Sequence, residues 1–191
     1  MMVRRWGKVV ASGAALGSLM VFAPSAHAQE HVSTVEVTQE RGTALSCHGT
    51  SGGRSVAVSL YSNSAFGNFA SVAVEGPGSQ APLYTGDAQP DRLFGDHTVN
   101  AVIPLTRSSV GGPAGRAVVV GTLRAAARPT DVHETLQDGG YLIETTGTRQ
   151  ELAATVRAVL LGQAVPLTCA DSFRFDLEVR RTLVQPTAHT R

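Results

Sequence analysis

The 191-residue chain holds 16 Lys plus Arg and 15 Asp plus Glu, so its formal net charge is only +1. Three of the basic residues lie within the first eight positions, and the rest of the chain carries a formal charge of −2. Nucleic-acid-binding domains are clearly basic, so this balance argues against a nucleic-acid partner.

Residues 1–28 have the three parts of a secretory signal peptide. A cationic start is followed by an apolar stretch at 9–23 and by a small-x-small cleavage site that ends at Ala28. The apolar stretch is shorter than the roughly 20 residues that a membrane-spanning helix needs, so it favours export over a membrane anchor. The pair Arg4-Arg5 leaves twin-arginine export open as an alternative to the general secretory route.

Cleavage after Ala28 leaves 163 residues, which is the size of one domain. We expect a β domain at 29–184 and a flexible tail at 185–191, which has no apolar pattern. No later apolar run is long enough for a membrane span. The sequence therefore predicts a protein that is secreted or associated with the cell envelope.

Cys47 and Cys169 are the only two cysteines. In an exported chain they most simply form one disulfide. Two buried free thiols or a metal site are the alternatives, but the pair lacks the C-x-x-C spacing of a zinc site. A bridge would tie the beginning of the β domain to its last strand. The large loop that it closes gives a chain-entropy stabilisation of at most about 4 to 5 kcal/mol.

The mature chain alternates short apolar-polar stretches with turn residues, which is the pattern of antiparallel β structure. In chain order the predicted strands lie at 32–38, 43–48, 55–61, 69–75, 99–105, 116–127, 132–137, 141–146 and 166–184. A turn at Arg41-Gly42 separates the first two strands, and a glycine-rich turn at 49–53 joins the next two into a hairpin. Pro104 indicates an edge position or the end of pairing. Asp138-Gly139-Gly140 indicates a tight hairpin.

The last strand has the clearest alternation in the chain. Its apolar side consists of Phe173, Phe175, Leu177 and Val179, and its charged side consists of Arg174, Asp176, Glu178 and Arg180. Cross-strand ion pairs on a solvated face explain the charged side with fewer assumptions than a recognition stripe does.

The segment 148–163 fits two structures. A helix would begin at Thr148, with Glu151 completing a capping box, and end at Gly162. The same segment also alternates as a strand does, and predicted hairpins surround it, so we expect a strand. Together the elements predict an all-β fold: an antiparallel β-sandwich or barrel in a single domain, with at most one short helix.

Regular patterning weakens between positions 63 and 96, and most of the aromatic residues lie between positions 61 and 94. Five of the eight aromatic residues of the mature chain are Tyr61, Phe66, Phe69, Tyr84 and Phe94. Aromatic side chains on connections often anchor a binding partner. Alternatively, they hold a long connection against the core. With His97, these five are the candidate binding residues.

Two short motifs formally fit catalytic sites. The segment 49–53 is G-x-S-x-G, but a predicted strand follows it instead of the helix that a nucleophile elbow requires. Asp96-His97 could orient a general base, yet adjacent residues of an extended chain point to opposite sides, and His133-Glu134 has the same defect. The histidines lack the spacing of metal ligands, so we expect no metal and no cofactor.

The leading hypothesis is an exported, non-enzymatic β protein that binds a ligand or partner through the region 61–97. A small secreted hydrolase that uses His97 is one alternative, and a structural protein of the cell envelope is another. The expected partner is an extracellular or cell-surface ligand and not a nucleic acid.

Overall fold

The computed structural model describes residues 34–77 and 82–184. The predicted signal peptide at 1–28, the start of the first predicted strand at Val32 and the predicted tail at 185–191 lie outside these residues. The described chain forms nine antiparallel strands. They are β1 (Val35–Ser51), β2 (Arg54–Asn63), β3 (Gly67–Glu75), β4 (Pro82–Ala88), β5 (Thr98–Arg107), β6 (Pro113–Ala125), β7 (Thr130–Asp138), β8 (Tyr141–Leu160) and β9 (Gln163–Leu183).

Eight of the strands close into a barrel. The sheet order is β6-β5-β4-β3-β2-β1-β9-β8-β7, and β6 also pairs with β8, so every strand except β7 has a neighbour on both sides. The weakest seam lies between β4 and β5, whose ladder consists of Tyr84↔Arg107 and Thr85↔Thr106. The predicted antiparallel all-β fold is confirmed, and the closure identifies it as a barrel.

Alternating apolar side chains fill the inside of the barrel. The largest fully buried ones are Leu60, Ile103, Leu105, Val56, Val58, Val74, Val99, Val119 and Val165. An eight-stranded barrel has an interior just wide enough for such side chains to meet across the axis. The interior is therefore a packed core, and sites for a partner are to be sought on the outside.

Three strands are much longer than the barrel needs. β1, β8 and β9 have 17, 20 and 21 residues, whereas β4 has 7. Their surplus leaves one end of the barrel as an open four-stranded sheet, which we call the extension. It consists of residues 35–42 of β1, 173–183 of β9, 141–151 of β8 and the whole of β7.

The predicted turn at Arg41-Gly42 is wrong, because β1 runs through it without interruption. Gly42 pairs with Asn63 on one side and with Phe175 on the other. A Cβ at Gly42 would collide with the backbone oxygen of Ser62 and with the ring of Phe175. The glycine is therefore needed for close packing and not for a turn.

Two further expectations need correction. The region 63–96 contains a second strand, β4, which the weak patterning concealed. Pro104 does not end its strand, since β5 continues to Arg107 and Pro104 lies opposite Arg116.

Two expectations are confirmed. The segment 148–163 is a strand up to Leu160, and the turn to β9 follows at Leu161-Gly162, both with positive φ. Cys47 and Cys169 form the expected disulfide, with a Cα–Cα distance of 3.9 Å. They lie directly opposite each other on β1 and β9, beside a bulge that shifts the register of the ladder.

Candidate binding site at the junction of barrel and extension

Three connections meet at the end of the barrel from which the extension emerges. They are the β2–β3 turn (64–66), the β4–β5 connection (89–97) and the β6–β7 connection (126–129). Each is hydrogen-bonded to one of the long strands. The N–H of Ser64 donates to the carbonyl of Arg41 on β1 at 2.8 Å, and Arg174 on β9 donates to the carbonyl of Asp96 at 3.3 Å. Gln150 on β8 donates to the carbonyl of Ala127 at 3.0 Å.

A shallow groove of about 400 Å³ lies among these contacts, and we call it the junction groove. It is lined by Arg41, Gly42, Thr43, Pro129, Thr148, Gln150, Arg174, Phe175 and Asp176. Its volume lies at the lower end of the range for small-ligand pockets. The groove is open, so it fits a group presented by a larger partner better than an enclosed small molecule.

The strand register explains why polar side chains converge here. Asp176 lies opposite Arg41 on β1 and opposite Thr148 on β8. Arg174 lies opposite Thr43 and Gln150 in the same way. Residues that are directly opposite in a ladder point to the same face, so the charged side of β9 contributes its first two members to the groove.

The charges of the groove are only partly compensated. Nε of Arg41 is 2.9 Å from the Asp176 carboxylate, which makes a cross-strand ion pair of the expected kind. Arg174 carries five N–H donors. Within residues 34–77 and 82–184, its side chain makes one hydrogen bond, to the carbonyl of Asp96 at 3.3 Å. The groove therefore presents a guanidinium with donors available to an anionic group.

The other side of β9 at the junction carries a row of packed aromatic rings, which includes Phe175 although this residue also borders the groove. The rings of Tyr61 and Phe175 stack at a centroid distance of 6.0 Å, and those of Phe173 and Phe175 are 6.2 Å apart. The guanidinium of Arg149 lies 3.8 Å above the ring of Phe173. Asn63 donates to the Tyr61 hydroxyl at 2.6 Å. Tyr61, one of the candidate binding residues, is thus engaged in packing within the protein.

The other candidate aromatic residues divide into two groups. Phe66 in the β2–β3 turn and Phe69 on β3 are 65% and 40% exposed, and both lie at the junction end of the barrel. Tyr84 and Phe94 pack against the core. Tyr84 also lies toward the opposite end, opposite Val74 on β3. Of the candidate residues, Phe66 and Phe69 are therefore the aromatic ones with exposed surface, and Phe69 lies directly opposite Tyr61 on the aromatic face.

His97 is exposed at the junction end, and among the described residues its side chain makes no hydrogen bond or ion pair. It borders a second open space with Thr98, Thr122, Leu123, Arg124, Ala153 and Thr155. Within the described chain, this lining includes no carboxylate and no serine. The backbone carbonyl of its neighbour Asp96 accepts a hydrogen bond from Arg174. The arrangement gives the hydrolase alternative no support.

The G-x-S-x-G segment also lacks the geometry of a nucleophile elbow. Ser51 is the last residue of β1, and a two-residue turn at Gly52-Gly53 leads into β2, so the segment joins two antiparallel strands. The hydroxyl of Ser51 donates to Gln163 at 2.8 Å. Among the residues that the structure describes, no cluster of three or more His, Cys, Asp or Glu could hold a metal.

Comparison with known proteins does not assign the chain to a group: no family model, no curated protein and no solved structure matches it. In the two described ranges, no helix is long and apolar enough to cross a membrane. The junction itself is therefore the basis for a functional proposal. Sequence reasoning noted Arg174 as part of a charged side, but it assigned Arg41 to a turn and did not single out Gln150.

Proposed function

We propose that the mature chain is an exported, non-enzymatic binding protein that engages an extracellular or cell-surface partner with the junction end of its barrel. The contact surface consists of the junction groove together with Phe66, whose turn at 64–66 is hydrogen-bonded to Arg41 at the groove. The observation that carries the proposal is the combination, at one end of the molecule, of an incompletely bonded Arg174 and the exposed ring of Phe66.

The chemistry of the surface suggests which groups a partner offers. Arg174 and Arg41 favour a carboxylate or sulfate, since a guanidinium binds either through two parallel hydrogen bonds. The Gln150 amide nitrogen is engaged by Ala127, which leaves its oxygen as an acceptor for a hydroxyl or amide. Phe66 adds an apolar anchor of the kind that dominates interface energies. The partner is therefore an acidic molecule that also carries an apolar group.

The proposed export rests on the signal-peptide pattern and agrees with the disulfide, because disulfides persist outside the cytoplasm. Mass spectrometry of the protein from culture is expected to find a mature N-terminus at Gln29. A chain that begins at Met1 in the medium or envelope would contradict the cleavage.

The binding test compares the mature protein with two variants at the junction, Arg174→Gln and Phe66→Ala. Their retention on separated medium, wall and membrane fractions of the producing cells is measured. Each variant is expected to bind about tenfold more weakly, a loss typical of a residue at the centre of an interface. The matched controls are Arg116→Gln and Val110→Ala, which change exposed residues outside the junction end and are expected to bind like the native chain.

Thermal unfolding separates binding from packing. Because Phe66 is mostly exposed, Phe66→Ala is expected to shift the melting temperature by no more than about 2 °C. A clear fall in melting temperature with unchanged retention would mean that the aromatic residues only hold the connection to the core. Retention on the wall fraction that neither junction variant reduces would favour the structural envelope protein.

A further inference from the structure

The outer edge of the extension is an open strand. β7 pairs with β8 over its whole length, from Thr130↔Arg149 to Asp138↔Tyr141, without a bulge. In the described chain, no strand pairs with its other side. Every residue of β7 except Val132 is exposed. A regular, uncovered edge of nine residues is unusual, because such edges invite pairing with another chain.

The hairpin at the end of β7 shows which backbone groups face outward. Gly139 and Gly140 both have positive φ, as a two-residue type I′ turn requires. In such a hairpin the flanking residues, here Asp138 and Tyr141, form a hydrogen-bonded pair, and hydrogen-bonded pairs then alternate along the ladder. The residues between them point their N–H and C=O groups to the free side. These are Asp131, His133, Thr135 and Gln137.

One face of this edge carries two apolar side chains with the carboxylate of Glu134 between them, and Asp138 adds a second carboxylate at the hairpin end. One face of β7 carries Val132, Glu134 and Leu136. Their neighbours on β8 are Gly147, Thr145 and Ile143, in the same order. Leu136 is 61% exposed. Among the salt bridges of the described residues, none involves Glu134. β7 as a whole contains three carboxylates and neither Lys nor Arg.

We propose that β7 is a strand-accepting surface for a partner protein that contributes an extended segment with a basic residue between two apolar ones. The segment adds to the sheet as a fifth strand of the extension, and its main chain bonds to the four outward-facing residues. Its Lys or Arg lies opposite Glu134, and its apolar residues lie opposite Val132 and Leu136. A charge pair at directly opposite positions stabilises a ladder, whereas like charges there destabilise it.

The same charge argues against a second copy of this chain as the occupant. Antiparallel pairing of β7 with itself, centred on Glu134, would place two Glu134 carboxylates face to face. If the pairing shifts by two residues, the same side chains stay on the same face. Glu134 then lies opposite Val132 or Leu136, and no cation is available to pair with it. The β7 edge is also separate from the junction groove, since no β7 residue lines that groove. A negative result for one surface therefore leaves the proposal for the other unchanged.

The test uses two synthetic peptides, acetyl-Thr-Val-Thr-Arg-Thr-Leu-Thr-amide and the same peptide with Glu in place of Arg. Their binding to the mature protein is followed by NMR titration of the backbone amides. The Arg peptide is expected to bind about fivefold more tightly than the Glu peptide, as a cross-strand charge pair allows. Shifts are expected at Asp131, His133, Thr135 and Gln137. Equal affinity for the two peptides, or shifts elsewhere, would overturn the proposal.

Two pairs of variants separate the contributions of charge and main chain. Glu134→Arg is expected to reverse the peptide preference, and Glu134→Gln to abolish it. Thr135→Pro removes one outward N–H and is expected to abolish binding, while Thr135→Ala keeps that N–H and is expected to bind normally. Unchanged binding by Thr135→Pro would contradict strand addition. The Gly147 and Thr145 amide signals of β8 report whether the Pro variant keeps the hairpin.

Analytical ultracentrifugation tests directly whether a second copy of this chain binds to the β7 edge. The native chain is expected to be monomeric, and Glu134→Val to associate, because it removes the charge that blocks self-pairing. Association of the native chain that Thr135→Pro abolishes would make a second copy the occupant and would overturn the proposal.

Discussion

The barrel and the extension are built from the same strands, yet they are stabilised in different ways. In the barrel each strand has two neighbours, and one side of every strand faces a dry core. In the extension the sheet is open, and the side chains less than a tenth exposed are Glu40, Phe175 and Val179. β1, β8 and β9 thus pass from a region held by apolar burial into one held by main-chain hydrogen bonds and a small polar-aromatic cluster. Stability is therefore expected to change along single strands.

The two regions also differ in the surface that they offer to a partner. A closed barrel has no free edge and buries one face of its sheet, whereas the open sheet of the extension also offers an edge to a partner. The proposed contact surfaces lie where the barrel ends, at the junction groove and along β7. In both proposals the barrel is the support, and the contacts lie at the junction and on the extension.

The largest expected effect is the loss of stability when an isoleucine side chain is shortened to alanine, and it is compared between the two regions. Ile103 is completely buried in the barrel, and Ile103→Ala is expected to lower the free energy of unfolding by about 4 kcal/mol. Ile143 in the extension is half-buried, and Ile143→Ala removes the same atoms at an expected cost of about 1 kcal/mol. Urea unfolding followed by circular dichroism measures both. Equal losses would show that the extension is as well packed as the barrel.

The next effect concerns the disulfide, which joins β1 and β9 within the barrel. Replacing both Cys47 and Cys169 by Ala is expected to lower the free energy of unfolding by about 3 kcal/mol, because the unfolded chain gains the freedom of a long loop. Reduction of the native protein is expected to give a similar loss. The double variant is the control, since a reducing agent has nothing to act on there. A further loss on its reduction would show that the effect has another cause.

A smaller and local effect is expected at Glu40 in the extension. Its carboxylate accepts a hydrogen bond from Asn63 at 2.9 Å and lies 3.6 Å from Arg181. Glu40→Gln retains an acceptor for Asn63 but removes the charge that faces Arg181, at an expected cost of about 2 kcal/mol. Hydrogen exchange is expected to accelerate in residues 35–42 and 176–183 and not in the barrel. Uniform acceleration would contradict the division into two regions.

The sequence contained enough information for the fold class and the disulfide, because both depend on local signals. The alternation of Phe173, Phe175, Leu177 and Val179 reports one buried side of β9, and two cysteines allow only one pairing. The strand at 148–160 was predicted although Thr148, Glu151 and Gly162 suit a helix. Tertiary pairing with β6 and β9 on either side outweighs those local capping preferences.

The missed features depend on contacts between residues that are distant in the sequence. Gly42 indicates a turn by composition, but its role is to leave space for Phe175, which lies more than a hundred positions later. The junction groove could not be found for the same reason, since Arg41, Gln150 and Arg174 meet only through the register of three strands. β4 was hidden because the short strand lacks a clear apolar alternation.

The smallest effect on stability is expected at Asp176. This residue tests whether an ion pair at the junction contributes to the fold or to the binding of a partner. The side chains of Arg41 and Asp176 are 73% and 51% exposed, so water and salt screen their ion pair. Asp176→Asn is therefore expected to change the free energy of unfolding by no more than about 0.5 kcal/mol. The same substitution removes the one carboxylate that lines the junction groove and frees Arg41.

Retention of the Asp176→Asn variant on acidic partners is consequently expected to increase, and the increase is expected to vanish in about 0.5 M salt. A variant of unchanged stability that binds more tightly assigns the Arg41–Asp176 pair to the contact surface. A variant that loses stability and binds no better would place that pair among the contacts that hold the extension to the barrel. The outcome decides whether the charges at the junction serve the fold or the partner.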